Sequence, residues 1–258
     1  VTLMIDRGAA TAPVQAPDQG AGRARTERTT ATKGSRATTR YRGAVGKKAV
    51  MAVTGALMIG FLVLHMIGNL KVFAGRDSFN DYAAWLRTVG EPMLPPSGFL
   101  WIQRIGLLVI LALHITAAVQ LTVQAKRARP VKYHVKRRVQ QSYASRTMRW
   151  GGVIIAAFVV YHILDLTVGV ANPAGTAADP YTRLVADFQR WYLVVAYAVP
   201  LLLLGLHLRH GVWSAAQSLG RGGTARERPI KLFATGFAVV LVAGFLLAPV
   251  GVLVGVVK

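Results

Sequence analysis

AVMAVTGALMIGFLVLHMIGNL, Ala49 to Leu70, runs for 22 residues without an Asp, Glu, Lys or Arg. A helix of that length rises about 30 Å, the thickness of a bilayer hydrocarbon core. Four further blocks follow: FLWIQRIGLLVILALHITAAVQLTV (Phe99–Val123), GGVIIAAFVVYHILDLTVGV (Gly151–Val170), WYLVVAYAVPLLLLGLHL from Trp191, continuing through Trp213, and ATGFAVVLVAGFLLAPVGVLVGVV (Ala234–Val257). The blocks are long, continuous and rich in Leu and Ala, whereas strands of a membrane barrel alternate over about ten residues. Pro200 and Pro249 lie inside blocks, which a membrane bundle accommodates through neighbouring groups. Trp101, Trp150, Trp191 and Trp213 stand near block ends, the headgroup level favoured by amphipathic rings. The fold class expected is an all-α integral membrane protein, a bundle of five transmembrane helices at about 49-70, 99-123, 150-170, 190-213 and 232-257.

The 258 residues are 53% hydrophobic and only 16% charged, against about a quarter charged in a soluble domain. That composition argues against an ordinary soluble enzyme. The net charge of +21 would suit a nucleic-acid binder, but its distribution follows the spans instead. Of 31 Lys and Arg, 24 lie in residues 1–48, 124–149 and 209–231, all on one side of a five-span chain. The positive-inside rule then puts the N-terminus and the basic loops in the cytoplasm and the C-terminus outside, in the cell membrane, with no nucleic-acid partner. Residues 1–40 are rich in Ala, Thr, Gly, Pro and Arg and read as a disordered basic tail. They lack the apolar core and cleavage pattern of a removed export signal. Residues 41–258 form the membrane domain. There is no cysteine, so disulfides, thiolate-held zinc and cysteine-held iron–sulfur clusters have no ligands here.

Four of the six histidines sit one per helix in the first four blocks: His65, His114, His162 and His207. Imidazole is costly in hydrocarbon unless satisfied, so such a residue points to function, although a single one can simply bond a neighbouring helix. Their depths alternate. His65 comes late in an outward helix, His114 late in an inward one, His162 late in the next outward helix and His207 late in the next inward one. Counted at about 1.5 Å per residue, this gives two layers of two imidazoles on different helices. Paired neutral imidazoles facing one another inside apolar helices are the axial set of a haem iron. Two layers imply two b-type haems, His65 with His162 nearer the outside and His114 with His207 nearer the cytoplasm, since no CxxCH is present. Zinc, which takes three or four protein ligands, fits less well.

Other residues carry open alternatives. Asp165, three positions beyond His162, can orient a histidine, relay a proton to a quinone or reach the outer interface. Arg104 can meet that acid or a haem propionate, or simply snorkel. His210, one turn beyond His207, is the rival ligand on the fourth helix, and His134 lies in a basic loop. Gly55, Gly60, Gly68, Gly106, Gly152, Gly205 and Gly211 can admit a neighbouring helix or a flat ring. Asn69 can meet a cofactor edge or cap its helix. The segment KRARPVKYHVKRRVQQSYASRTMRW suits anionic lipid or an acidic-faced soluble protein, beyond any role in topology.

Five stretches, HMIGNLKVFAG (65–75), FNDYAAWLR (79–87), LALHITAAVQL (111–121), YHILDL (161–166) and GLHLRHGVWSAAQSLG (205–220), together resemble the membrane cytochrome b subunit of succinate dehydrogenase or fumarate reductase, in its five-helix, two-haem form. The likeness covers the chain from about Tyr41 onward. It implies a membrane anchor and electron-transfer subunit of a succinate:quinone oxidoreductase, linking a cytoplasmic iron–sulfur subunit and its FAD-containing flavoprotein to a membrane quinone, with menaquinone expected. A higher-order oligomer of the complex is also compatible with it. Carried onto this chain, the axial ligands fall on His65, His114, His162 and His207, the last through the HxxxGxWS arrangement, which selects it over His210. Residues of the quinone site do not carry over. With no flavin fingerprint and no cluster cysteines, the chain cannot oxidise succinate alone. Alternatives are a dihaem anchor for another donor, such as a hydrogenase or formate enzyme, and a transporter using its histidines for protons or metal.

Overall fold

Each apolar block becomes a helix, though the helix ends do not coincide with the block ends. A computed structural model describes residues 43–128, 141–218, 220 and 224–258. These fall within one unit, Arg36–Lys258. The expected tail over residues 1–40 and His134 lie outside the described residues. Among those described, the order is α1 (Ala44–Leu70), a 3₁₀ turn (Lys71–Ala74), α2 (Arg76–Thr88), α3 (Gly98–Arg127), α4 (Gln141–His162) continuing as a π-helical turn (Ile163–Val168), α5 (Pro180–Phe188), α6 (Trp191–Ser218) and α7 (Thr224–Leu253). No strand occurs among them. Five of the helices, α1, α3, α4, α6 and α7, are long and apolar enough to cross a membrane.

Boundaries differ from the apolar blocks for a simple reason. Hydropathy marks the part of a helix that suits hydrocarbon, while the backbone ladder continues wherever good helix formers follow. Lys126 and Arg127 extend α3 by a turn and stabilise its carboxyl end. At the other extreme, the last apolar block runs to Val257 but α7 stops at Leu253. Gly255 adopts φ +77°, and the amides of Val256 and Val257 both return to the Gly251 carbonyl, closing the helix end.

The long helices are not equally enclosed. α7 buries a seam of Ala234, Ala238, Leu241, Phe245, Ala248 and Val252, three or four residues apart, against α6 and α1. Small residues permit the approach: a Cβ on Gly205 would lie 2.8 Å from Val242 Cγ2, and one on Gly244 would collide with the Met66 sulfur. α1 also packs on α3 and α6, and α4 packs on α6. The outward faces of α1 and α3 remain apolar and exposed, as a lipid-facing surface requires, with Leu64, Ile102, Ile105 and Leu108 more than half exposed.

Two short amphipathic helices, α2 and α5, close one end of the bundle, hereafter the capped end. Asp179 ties them together. Its carboxylate accepts from the Thr182 amide (3.0 Å) and hydroxyl (2.8 Å), capping α5 ahead of Pro180, and also from Arg76 (2.7 Å) and Asn80 (2.8 Å) of α2. Burial alone would raise this carboxyl, but the Thr182, Asn80 and Arg76 donors outweigh it and hold the group well below the usual carboxylate range. Tyr181 then donates to the Lys258 carbonyl at 2.8 Å, fixing the chain's last residues to the same cap.

Candidate functional site

Two imidazole pairs lie one behind the other along the bundle. Near the capped end, His65 of α1 faces His162 of α4 with ring centroids 5.8 Å apart and planes at 83°. Toward the opposite, basic end, His114 of α3 faces His207 of α6 at 6.3 Å and 56°. Depth along each helix indicated these partners, and the structure brings these same rings together. The helices that carry each pair do not themselves pack: α1 packs on α3, α6 and α7, and α4 packs on α6, but neither α1 with α4 nor α3 with α6 forms a helix–helix interface among the described residues. Imidazole pairs therefore span the space between helices held apart by their other neighbours.

The surroundings of the two pairs are different. Phe61 stacks on His65 at 5.3 Å, Phe245 lies 5.8 Å from it, and Phe158 and Tyr197 each lie 5.9 Å from His162. That site is an aromatic box. The basic-end pair has smaller neighbours. A Cβ on Gly55 of α1 would sit 3.6 Å from His114 Cε1, and one on Gly152 of α4 would sit 3.9 Å from His207 Cε1. Gly60, Gly106 and Gly211 face open space, whereas Gly68 backs onto Tyr82 and Gly205 onto Val242.

A test of fit follows from the donors. Two metal–imidazole bonds of about 2 Å, with roughly one ångström from each nitrogen to its ring centre, put two axial ring centroids about 6 Å apart. Both observed separations agree with that span, and rotation about the metal–nitrogen bond leaves the interplanar angle free. Nδ1 of His162 and Nδ1 of His207 are buried without a partner, so nothing in the protein satisfies those ring edges. Among the described residues no three His, Asp or Glu gather as a metal set. A metal at either pair would need its remaining ligands from outside the described residues, and a two-imidazole donor set fits a haem iron, whose macrocycle would supply them.

Beside the capped-end pair is a polar cluster whose composition the sequence did not reveal. Asp165, set in the π-helical turn one residue-triplet after His162, is fully buried. It accepts from Tyr197 at 2.6 Å and from Asn172 at 3.0 Å and is closed off from solvent. Asp187 of α5 is equally buried and lies against it. If both were ionised, the Asp187 oxygens would have no donor. A single proton between the two carboxyls supplies the missing hydrogen bond. Burial, with the Asp165 carboxyl as the second cause, pushes Asp187 up to about 8 despite the nearby Arg190. An Asp179–Pro180 pair, a cap followed by an N1 proline, marks the start of α5 in the sequence, but nothing local singles out Asp187 within it.

The remaining candidates fall elsewhere. Arg104 is exposed and stands over the Trp101 ring at 5.1 Å, remote from the acid pair in its contacts. His210 lines a small crevice with His207, Met148, Leu203 and Leu206, and has no ring contact with His114 among the described residues. The Asn69 carbonyl takes part in closing α1, accepting from the Lys71 amide. No family model, curated protein or solved structure matches this chain.

Proposed function

We propose that this chain is the dihaem cytochrome b subunit of a succinate:quinone oxidoreductase, anchoring an iron–sulfur subunit and its flavoprotein to the membrane and exchanging electrons with a quinone such as menaquinone. The observation that carries the haem assignment is the meeting of two imidazole pairs, one behind the other along the bundle, on helices that share no extensive interface among the described residues. The succinate, fumarate and partner assignments rest on the five resembling stretches around those histidines.

In this reading His65 and His162 hold one haem and His114 and His207 the other, and bound haem supplies one-electron relays at two depths. The chain's own residues do the rest. The apolar helices exclude water and ions from the space around the imidazoles, which lets neighbouring dipoles act at low dielectric. Phe61, Phe245, Phe158 and Tyr197 fix the ring orientations of the first pair. The charge distribution orients the bundle with the capped end outside and the basic end in the cytoplasm. The basic surface on that side suits an acidic-faced soluble subunit.

The test is a reduced-minus-oxidised visible spectrum of the purified complex with pyridine haemochrome quantification. Two b haems per chain support the reading, and a colourless, fully assembled chain rejects it. Co-purification of a flavoprotein and an iron–sulfur protein, with succinate-dependent quinone reduction, separates this anchor from one serving a hydrogenase or formate enzyme.

A further inference from the structure

The four imidazoles are not held alike. Nδ1 of His162 and of His207 are buried without partners, but His114 Nδ1 lies 3.0 Å from the Thr54 hydroxyl oxygen. Thr54 is a buried polar residue of α1, one position before the Gly55 that faces the same ring. A hydroxyl has one proton, so where Thr54 sends it decides what it can offer the histidine. Its oxygen is 2.7 Å from the Val50 carbonyl and 3.2 Å from that of Met51. Carbonyls only accept, and a helical threonine characteristically donates back to the residue four before it. The Thr54 proton is thereby committed to Val50. What remains toward His114 is a lone pair, so the ring nitrogen must be the donor. A neutral imidazole with its proton on Nδ1 carries its lone pair on Nε2.

We propose that Thr54 is a positioning residue that holds His114 in its Nδ1–H tautomer and leaves Nε2 free as the ligating nitrogen. The significance of this for a metal rests on the dihaem reading above; the tautomer itself does not. Donation from Nδ1 to an acceptor raises the basicity of the other nitrogen and favours the oxidised form of a bound iron. Of the two basic-end ligands, His114 has this support and His207 lacks it. Thr54 thus sets the electronic character of that pair without touching the metal.

Two variants separate the hydroxyl from mere shape. Thr54→Val keeps the branching and removes the hydroxyl, while Thr54→Ser retains the hydroxyl. The full chain, made with ¹⁵N-histidine in haem-deficient cells and reconstituted in bilayers, reports the tautomer by solid-state NMR, with His114→Ala assigning the signal. The wild type and Thr54→Ser should show His114 protonated at Nδ1, and Thr54→Val should lose that preference. In the haem-loaded complex, Thr54→Val should shift the oxidised-to-reduced ratio of the basic-end centre about tenfold toward the reduced form at a fixed potential. That is about 59 mV for one electron. The other centre should be unmoved, and Thr54→Ser should restore the wild-type value. An unchanged His114 tautomer in Thr54→Val, or a Thr54→Ser variant that behaves like Thr54→Val, overturns the assignment. Absence of haem from the wild type rejects the dihaem reading instead, and the nitrogen spectrum still decides the role of Thr54.

Discussion

The Tyr197 hydroxyl of α6 donates a 2.6 Å hydrogen bond to Asp165, a carboxyl wholly removed from solvent at the end of α4. Tyr197 also lies 5.9 Å from His162, edge to face, so one side chain touches both the acid cluster and the capped-end imidazole pair. Buried carboxyls are costly without donors, and the widened π-helical turn that contains Asp165 is a form of backbone that recurs at functional sites. The cluster also joins α4, α5 and α6 at one point.

Removing that hydroxyl should weaken the chain. Tyr197→Phe keeps the ring but strips Asp165 of a short donor, at a cost of about 1.5–3 kcal/mol for a hydrogen bond to a charged group. In detergent the thermal midpoint should fall by several degrees, with the helical content unchanged below the transition. An unaltered midpoint would show that Asn172 alone satisfies the acid.

Asp187 makes stability depend on pH. Its carboxyl is pushed up to about 8, so folding favours the protonated form. The contribution is fully present below the unfolded value of about 4 and is lost as pH rises through about 8. Thermal midpoints of the wild type should decline between those limits. Asp187→Asn, which mimics the neutral acid, should flatten this slope, and an equally steep slope in the variant would assign it to other groups.

The Asp179 clasp has the opposite sign. Its carboxyl is held low, so its contribution is present above the unfolded value of about 4 and is lost as pH falls below it. Asp179→Ala removes an N-cap worth about 0.5–2 kcal/mol and the link from α5 to Arg76 and Asn80. Hydrogen exchange should accelerate in α2 and α5 while the long helices keep their protection. Uniform acceleration throughout would contradict a local clasp.

Under the dihaem reading proposed above, the histidines should give a paired spectral pattern. His65→Ala and His162→Ala should each remove the same haem signal, and His114→Ala and His207→Ala should each remove the other. His210→Ala should keep both. Loss of the basic-end signal in His210→Ala, with retention in His207→Ala, would transfer the ligand role to His210.

How much of this was legible in advance varies with the range of the interaction. The five long helices follow from uninterrupted apolar blocks, a local property that chain length and hydropathy express directly. The helix ends were less legible, because Lys126, Arg127 and their equivalents continue a backbone ladder after the hydrocarbon-compatible stretch is over. α2 and α5 are short and amphipathic, and an anchor such as Asp179 gains its meaning only once Arg76 and Asn80, about a hundred residues away, are beside it. Asp165 reads locally as an acid near a helix end. Its burial depends on Tyr197, Asn172 and Asp187 arriving from three other segments.

Sequence by itself determined the number of long apolar helices and the place of each histidine along its helix, because hydropathy and rise per residue are properties of one helix at a time. The tertiary structure alone decided that those rings face each other, that a threonine hydroxyl rather than empty space stands behind His114, and that two acids share one buried site. The azimuth of a side chain acquires a partner only when helices pack, and packing is settled by steric fit between surfaces distant along the chain, such as Gly205 against Val242.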